Sequence, residues 1–429
     1  IRAPWDGGVM WEKTAEGQPW LATAVQGEGC DLFWPCIDQP FGEPNETELY
    51  ITVPKPLVAA TNGVLINTHD EGDNRTYHWQ TKSVHNTYGI ALNIAPYKQM
   101  TTQFTSIYGN TYPLTYYYLP EKEDKAKALF DELPEMITFF ERMIGPYPFA
   151  DEKVGIVQTP HLGMEHQTIN AYGNQYRKDD GGYDWLMQHE FAHEWFGNQL
   201  TNDNWDHMWL HEGFGTYMQP LYAQYLHGNE AYFVKLNAQR KGLANAHPIV
   251  SNTLMSEEDV YEKGPAGDIY AKGAWVIHTL RGVMGDDAFF RSVTELVYGR
   301  TDPKPGNFKP IFANTQDFID IVNKHSESNL DWFFDVYLFS AALPELTMTR
   351  HKDGVTFAWK TDNNLPFPMP LEVSINGKIT ELDMQTAFSL PVSQFDTVIA
   401  DPNSKVLRYE QRYEDYKAWI KENSNTKKK

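Results

Sequence analysis

The stretch "MQHEFAHEW", residues 187–195, places His189 and His193 four residues apart, with Glu190 directly after the first histidine. Apolar residues recur around these three positions, which predicts a helix over about 183–200. Residues i and i+4 share one face of a helix, so both imidazoles can reach a single ion. Glu190 points further round the helix, where it can act as a general base on a water bound to that ion.

A catalytic zinc ion takes three protein ligands and keeps one position open for water. The third ligand is expected in "WLHEGFGTYMQPLY", residues 209–222, where His211 and Glu212 are adjacent. Adjacent residues on a helix point about 100° apart, so only one of the two can bind the ion. The residues alone leave both as alternatives. Flanking Gly213 and Gly215 allow close approach to the first helix, and Pro220 predicts a kink or a stop.

Composition excludes several classes of protein. The chain has 429 residues, 41% of them apolar, which suits two or three domains. Its formal net charge of −21 argues against nucleic acid and anionic membranes as partners. No apolar run reaches transmembrane length. The chain begins at Ile1 without a signal-peptide pattern, so we expect a soluble protein that starts after a processing or truncation point. It is either periplasmic or secreted, or cytoplasmic, and its oligomeric state is not indicated.

Two cysteines, Cys30 and Cys36, are too few for a disulfide framework or a four-thiolate zinc site. Two free buried thiols are expected, with a local bridge as the alternative. Short β-branched and aromatic segments, such as 48–54 and 88–95, predict strands up to about residue 118. Helical spacing then dominates to about residue 340. A second, smaller β unit comes next, and the polar end of the chain is expected to fray.

The segment "HEFAHEWFGNQLT…WDHMWLHEGF" resembles the zinc aminopeptidases of the aminopeptidase N family, including its leukotriene hydrolase branch. The family pattern is His-Glu-x-x-His, eighteen residues, then Glu, and the flanking letters also match. The resemblance implies Glu212 rather than His211 as the third ligand, beside His189 and His193, of one Zn²⁺ per chain. It also implies Glu190 as the general base.

Two further segments carry the resemblance. In the family, the motif matched by "HLGMEHQ", residues 161–167, is an edge strand that pairs with the substrate backbone, here through Gly163 and Met164. Its glutamate, here Glu165, binds the substrate's α-ammonium group. His166 stands where the family has Asn, and we do not expect it to bind zinc.

The second segment is "DIYAKGAWVIHTL", residues 268–280. The resemblance implies that its tyrosine, Tyr270, donates a hydrogen bond to the oxyanion of the tetrahedral intermediate. Tyr261 in "YEKGPAG" has the same Tyr-x-Lys-Gly start, but Pro265 interrupts the helical pattern after it, so Tyr270 is preferred. Near the start of the chain, Gln26 and Glu28 in "TAVQGEGC" resemble a pair that helps to hold the substrate amine.

The resemblance implies a multidomain α+β fold. A partial N-terminal β domain is expected over 1–118, and a thermolysin-like, mainly helical zinc catalytic domain with a small sheet over 119–340. A small β-sandwich over 341–410 and a polar tail over 411–429 complete the chain. The implied function is removal of N-terminal residues from peptides with a free N-terminus. A thermolysin-like zinc endopeptidase and a non-catalytic peptide-binding protein with a structural zinc are the alternatives.

Overall fold

The computed structural model describes residues 8–27, 29–37, 39, 42–306 and 308–426. The first part of the chain forms short strands, as its β-branched and aromatic segments predict. These strands are β1 (Gly8–Lys13), β2 (Pro19–Ala24), β3 (Thr47–Pro54), β4 (Val58–Ala60), β5 (Val64–Glu71), β6 (Asn74–Thr81), β7 (Asn93–Ala95), β8 (Lys98–Thr105) and β9 (Thr111–Tyr118).

One antiparallel sheet has the order β1–β2–β7–β4 and another the order β3–β6–β5. Val53, Tyr77 and Trp79 are buried with Ala59 in their shared core. The predicted strand 88–95 is wrong over its first five residues, since only 93–95 is extended and paired. The side chain of Asn86 accepts the N–H of Gly89 at 2.6 Å, which closes a turn there instead.

The middle of the chain is mainly helical, as the spacing of its apolar residues predicts. Its elements are α1 (Glu123–Phe130), α2 (Leu133–Met143), β10 (Val154–Gln158), β11 (Gly163–Met164), β12 (Asn170–Tyr172), α3 (Trp185–Ala192), β13 (Leu200–Asn202), α4 (Trp209–His227), α5 (Asn229–Arg240), α6 (Glu257–Glu262), α7 (Asp268–Met284), α8 (Asp286–Tyr298), β14 (Ile311–Ala313), α9 (Thr315–His325) and α10 (Asp331–Tyr337).

A mixed sheet with the order β11–β12–β10–β9–β8 supports the helices. Strand β10 runs parallel to both β9 and β12, whereas β11 pairs antiparallel with β12 at the sheet's edge. The pairing joins residues 98–118 to this sheet, although the sequence grouped them with the preceding β unit. The division at residue 118 therefore stays a prediction, and the hydrogen bonds favour an earlier boundary.

Helix α3 begins at a capped N-terminus. The side chain of Asp184 accepts the N–H of Met187 at 3.1 Å, which satisfies one free donor of the first turn. The helix ends at Ala192, earlier than the predicted end near residue 200. Beyond it, Gly197 has a φ of +146°, a conformation that residues with a side chain rarely adopt, and the chain turns there.

Helix α4 is buried along most of its length and continues through Pro220, so the predicted stop is wrong. Proline lacks an N–H and cannot donate to the carbonyl of Thr216 four residues earlier. The side chain of Gln239, on α5, donates to that carbonyl at 3.0 Å instead. Because the free carbonyl has a new partner, the helix tolerates the proline.

Gly213 and Gly215, which follow Glu212 in the chain, leave space for different neighbouring groups. A Cβ on Gly215 would lie 3.1 Å from the His193 ring, so this glycine leaves room for the imidazole, as predicted. A Cβ on Gly213 would instead lie 3.2 Å from the Cα of Gly273, on α7. Gly213 therefore allows α4 to cross α7, and the prediction that it faces the first helix is wrong.

The chain then forms β15 (Glu345–His351), β16 (Gly354–Lys360), β17 (Leu371–Ile375), β18 (Lys378–Leu382), β19 (Phe388–Leu390), β20 (Val398–Ala400) and α11 (Gln411–Thr426). The strands make two antiparallel sheets, β15–β16–β19 and β18–β17–β20. Val355 and Phe357 of one sheet share a core with Leu371 and Val373 of the other, which makes a small sandwich.

Residues 411–426 are helical, so the expectation that the chain frays over 419–429 is wrong for the described part of that stretch, 419–426. The Tyr413 hydroxyl donates to Asn237 at 3.3 Å, and the Arg240 guanidinium lies 4.7 Å from the Tyr413 ring centroid. These contacts hold the helix against α5 and explain its order.

Cys30 and Cys36 form a disulfide with a Cα–Cα distance of 6.1 Å, so the expectation of two free thiols is wrong. A separation of six residues allows this distance because residues 30–32 form a turn of 3₁₀ helix. Within the described ranges, none of the helices is both long and apolar enough to cross a membrane.

We expect Gly213→Ala to be less stable than Gly282→Ala by about 1–3 kcal/mol in free energy of unfolding. Both changes add the same helix-favouring methyl group to a helix. A Cβ at Gly282 would meet no atom closer than 3.8 Å, whereas one at Gly213 would force α4 and α7 apart. Urea unfolding of the two variants measures the difference, and equal stabilities would contradict this account of the helix crossing.

Candidate active site

Helices α3 and α4 bring three potential ligand atoms together. His189 Nε2 lies 3.4 Å from His193 Nε2, and Glu212 Oε2 lies 3.6 Å and 3.4 Å from the same two nitrogen atoms. Ligand atoms at about 2.0–2.1 Å from a tetrahedral zinc ion are separated by about 3.3 Å. The predicted trio therefore has the spacing of three corners of a zinc tetrahedron.

Hydrogen bonds from the outer side of each imidazole orient the rings. His193 Nδ1 lies 2.8 Å from the carbonyl of Phe196, and His189 Nδ1 lies 3.3 Å from Nε2 of Gln219. Both rings are thus held through Nδ1 and turn Nε2 toward Glu212. The carbonyl of Phe196 accepts the Nδ1–H of His193, which fixes the tautomer of that ring and raises the basicity of its Nε2.

Glu212 has one oxygen atom engaged and one free for a cation. Its Oε1 accepts the Tyr270 hydroxyl at 3.1 Å, whereas its buried Oε2 accepts no hydrogen bond from the described residues. Burial alone would raise the pKa of Glu212, but the two neighbouring imidazoles lower it below its usual range. A buried, charged oxygen without a donor beside two imidazole nitrogens suits a divalent cation such as zinc.

His211, the rival ligand, faces away from this trio. Its Nε2 accepts the backbone N–H of Asn202 at 2.9 Å, and burial lowers the pKa of the ring to about 3. The ring is therefore neutral and anchors β13 to the start of α4.

Glu190 lies close to Glu165 and to His193 of the trio. Ligand atoms of Glu165, Glu190 and His193 all lie within 4.8 Å of one another. Burial, together with the smaller effect of the negative charge of Glu165, raises the pKa of Glu190 well above its usual value. A carboxyl group with a raised pKa beside a metal-binding trio has the properties expected of a general base.

The carboxylate of Glu165 is itself held by two donors. Its Oε1 accepts Nε2 of Gln26 at 3.0 Å and the hydroxyl of Tyr88 at 2.9 Å, and the side chain is buried. The structure thus brings together Glu165 and Gln26, which the sequence paired, and adds Tyr88, which the sequence missed. Glu28, the other predicted member, lies outside the described residues.

Gly163 and Met164 form the edge strand β11, paired with Tyr172 and Ala171. A Cβ on Gly163 would lie 2.3 Å from Oε1 of Glu190, so a larger residue here would displace that carboxylate from its position. The strand therefore passes directly over the candidate base, and its outer edge can pair with an extended peptide.

Glu194 and Asn198, which follow His193 in the chain, form hydrogen bonds to the segment after strand β11 that carries Glu165. Glu194 accepts the N–H of Thr168 at 2.9 Å and Nδ2 of Asn170 at 2.6 Å. Nδ2 of Asn198 donates to the carbonyl of Glu165 at 2.9 Å. Asn198 belongs to the flanking letters that match the family, but the sequence assigned no role to it or to Glu194.

His166 follows Glu165 in the chain and belongs to neither group of described side chains that could hold a metal ion. It is fully buried, its ring centroid lies 6.3 Å from that of His161, and its nitrogens have no hydrogen-bond partner among the described residues. Burial lowers its pKa to about 3, so the ring is neutral at ordinary pH. The expectation that it does not bind zinc agrees with this position.

Tyr270 and Tyr261 both reach the site. The Tyr270 hydroxyl bonds to Glu212, and the Tyr261 hydroxyl lies 2.8 Å from that of Tyr270. The sequence treated the two tyrosines as alternatives because both begin a Tyr-x-Lys-Gly pattern. The structure brings them together, with Tyr270 nearer the metal-binding trio.

Residues 130–337 match the family model described as "Peptidase family M1 domain". The chain is 25% identical over 303 residues to endoplasmic reticulum aminopeptidase 1 of Mus musculus, covering 66% of this chain and 32% of that protein. Its fold is similar to that of Legionella pneumophila aminopeptidase A, solved with aspartic acid (TM-score 0.74, 17% identity, 94% of this chain and 48% of that chain). It is also similar to an M1 zinc metallopeptidase of Deinococcus radiodurans (TM-score 0.63, 22% identity, 79% and 72%).

The chain therefore contains a domain of peptidase family M1, the aminopeptidase N-like family, which confirms the resemblance carried by its motifs. The α+β fold with several sheets and helices is also confirmed. The chain spans between 32% and 48% of the lengths of the curated relatives that it matches.

We expect the chain to bind one zinc ion, and a chelator to lower its Tm as it removes the ion. A ligand present at 1,000 times its Kd stabilises the folded state by about 4 kcal/mol. His189→Ala and Glu212→Ala leave two of three ligands and should purify without zinc. Atomic emission measures the zinc per chain.

A matched control is His227→Ala, an exposed histidine at the end of α4 whose ring contacts the Gly181 carbonyl. This variant should keep a full equivalent of zinc. Undiminished zinc in both His189→Ala and Glu212→Ala would contradict the assignment of the trio.

Proposed function

We propose that the chain is a zinc-dependent aminopeptidase that removes the N-terminal residue of peptides with a free N-terminus. One zinc ion per chain is held by His189, His193 and Glu212. The observation that carries the proposal is the closeness of Glu165 to this trio, since its carboxylate lies within 4.8 Å of ligand atoms of Glu190 and His193.

This distance selects the first residue of a peptide. The α-nitrogen and carbonyl carbon of one residue are two bonds apart, about 2.5 Å. If Glu165 holds the α-ammonium group, only the carbonyl of that same residue lies at the metal. Each further residue would add more than ~3 Å of extended chain and move the scissile bond out of reach.

The surroundings of Glu165 also disfavour an endopeptidase. Gln26 and Tyr88 both donate to Oε1 of its carboxylate, which holds the carboxylate near the ligand atoms of Glu190 and His193. An endopeptidase, whose substrates carry an uncharged amide at this point, needs no buried carboxylate there. The edge strand, with Gly163 and Met164, offers backbone groups on the other side, where the rest of the peptide extends.

The residues of the chain divide the chemistry between them. A bound zinc ion supplies a Lewis acid and lowers the pKa of a water molecule. Glu190 takes the proton of the attacking water and passes it to the leaving amine. Tyr270 donates its hydroxyl to the negative charge that develops on the carbonyl oxygen. Glu165 and Gln26 align the substrate by holding its amine, and Glu28 is proposed for the same role.

We expect Glu190→Gln to lower kcat by about 10²–10⁴-fold, because the amide has almost the same shape but cannot accept the proton. Zinc content should stay at the wild-type value, since Glu190 is not one of the ligands. Steady-state kinetics on a short peptide and atomic emission on the same sample measure both. Wild-type turnover by Glu190→Gln would remove Glu190 from the role of base.

We expect the wild-type chain to cleave a peptide with a free N-terminus and to leave its N-acetylated form intact. Glu165→Gln removes the charge that pairs with the ammonium group and should lower kcat/KM for the free peptide by about 10²-fold. The preference for the free form should fall with it. Mass spectrometry of the products, with and without a chelator, identifies the bond that is cleaved.

The outcomes separate the rival functions. Chelator-sensitive cleavage of both peptide forms at internal bonds would indicate an endopeptidase. Zinc binding without cleavage of either form would indicate a binding protein with a structural zinc. An unchanged preference in Glu165→Gln would leave the aminopeptidase but assign its amine site elsewhere.

A further inference from the structure

Two tyrosines on consecutive helices form a chain of hydroxyl groups that ends on a metal-binding residue. Tyr261 lies near the end of α6, and Tyr270 lies in the first turn of α7. The two hydroxyl oxygens are 2.8 Å apart, and the Tyr270 hydroxyl is 3.1 Å from Oε1 of Glu212. Tyr261 has no role in the proposed mechanism of peptide cleavage.

The number of protons fixes the direction of both hydrogen bonds. A carboxylate only accepts, so the single hydroxyl proton of Tyr270 is directed to Glu212. The oxygen of Tyr270 must then accept in its bond with Tyr261, which makes Tyr261 the donor. Tyr270 is thus held from both sides, by an acceptor at the metal-binding trio and by a donor on α6.

The backbone that carries Tyr261 is well anchored. Ser256 and Asp259 form a capping box at the start of α6, and Val260 is buried in the main core. The N–H of Ala266 donates to the carbonyl of Val260 at 2.9 Å, and Ala266 has a φ of +47°. This turn folds the chain back between α6 and α7, so the two phenol groups meet because of the backbone.

We propose, resting on the aminopeptidase function, that Tyr261 is a positioning residue that donates its hydroxyl to Tyr270 and directs Tyr270 to the substrate oxyanion. When charge develops on the substrate, the proton of Tyr270 turns from Glu212 to that oxygen atom. The bond from Tyr261 is kept in both arrangements, because it uses the other side of the Tyr270 oxygen. A donor to that oxygen also strengthens the bond that Tyr270 gives.

Tyr261→Phe removes only the hydroxyl and should lower kcat by about 3- to 10-fold with little change in KM, as expected for one neutral hydrogen bond. Tyr270→Phe should cost more. The double variant Tyr261→Phe/Tyr270→Phe should be no slower than Tyr270→Phe, since Tyr261 acts only through Tyr270. Tyr225→Phe is the matched control, because the hydroxyl of Tyr225 bonds to exposed Glu135 away from the site, and it should match the wild type.

A calorimetric measurement gives the same test without turnover. The probe is a phosphinic dipeptide analogue with a free amine, whose charged oxygens resemble the oxyanion. Its Kd should rise about 3- to 10-fold in Tyr261→Phe. The Kd of the double variant should equal that of Tyr270→Phe alone.

The proposal would be overturned if, in the double variant, the effects of Tyr261→Phe and Tyr270→Phe on kcat and on Kd multiplied. A loss of zinc or of Tm in Tyr261→Phe beyond that in Tyr225→Phe would also overturn it, since Tyr261 would then serve the fold. A wild-type chain that cleaves no peptide would defeat the aminopeptidase function, yet the Kd cycle would still decide whether Tyr261 acts through Tyr270.

Discussion

The distance between Glu165 and the metal-binding side chains depends on hydrogen bonds from the residues just after His193. Glu194 holds the turn after β11 through Thr168 and Asn170, and Asn198 holds the carbonyl of Glu165. One short stretch of chain therefore carries His193, a proposed metal ligand, and also fixes Glu165, the proposed amine anchor, relative to it. An enzyme that measures one residue from the N-terminus needs this distance to be constant, and buried hydrogen bonds to the backbone provide that constancy.

Close helix packing sets the third corner of the site. Glu212 reaches the two histidines because Gly215 leaves space for their rings, and α4 keeps its direction because Gly213 lets it cross α7 closely. The same crossing brings Tyr270 to within 3.1 Å of Glu212. Because Gly213 and Gly215 have no side chain, Glu212, the proposed ligand, and Tyr270, the hydrogen-bond donor, can lie next to each other. A helix with larger residues there would hold the same functional groups at the wrong separation.

Local spacing in the sequence identified the parts of the site that lie on one helix or in one motif. The spacing of apolar residues predicted the helix that carries His189, Glu190 and His193. The α+β class was predicted from the change between strand-like and helical patterns along the chain. Tyr88 meets Glu165 across 77 positions, and no local pattern marks it. The continuation of α4 past Pro220 likewise depends on Gln239, which is near only in the folded chain. Long-range contacts outside the family's motifs were thus the ones that the sequence did not predict, whereas the contact between Gln26 and Glu165 was expected from the resemblance.

The electrostatics of the site couple substrate binding to the state of the base. Burial and the charge of Glu165 raise the pKa of Glu190, which favours the protonated form that cannot accept a proton. A substrate ammonium group bound to Glu165 offsets that charge, and a divalent cation on the trio acts in the same direction. In the proposed function, metal and free amine together would therefore lower the pKa of Glu190 and favour its role as the base. Glu165, the proposed amine anchor, would then also influence the chemistry beside it.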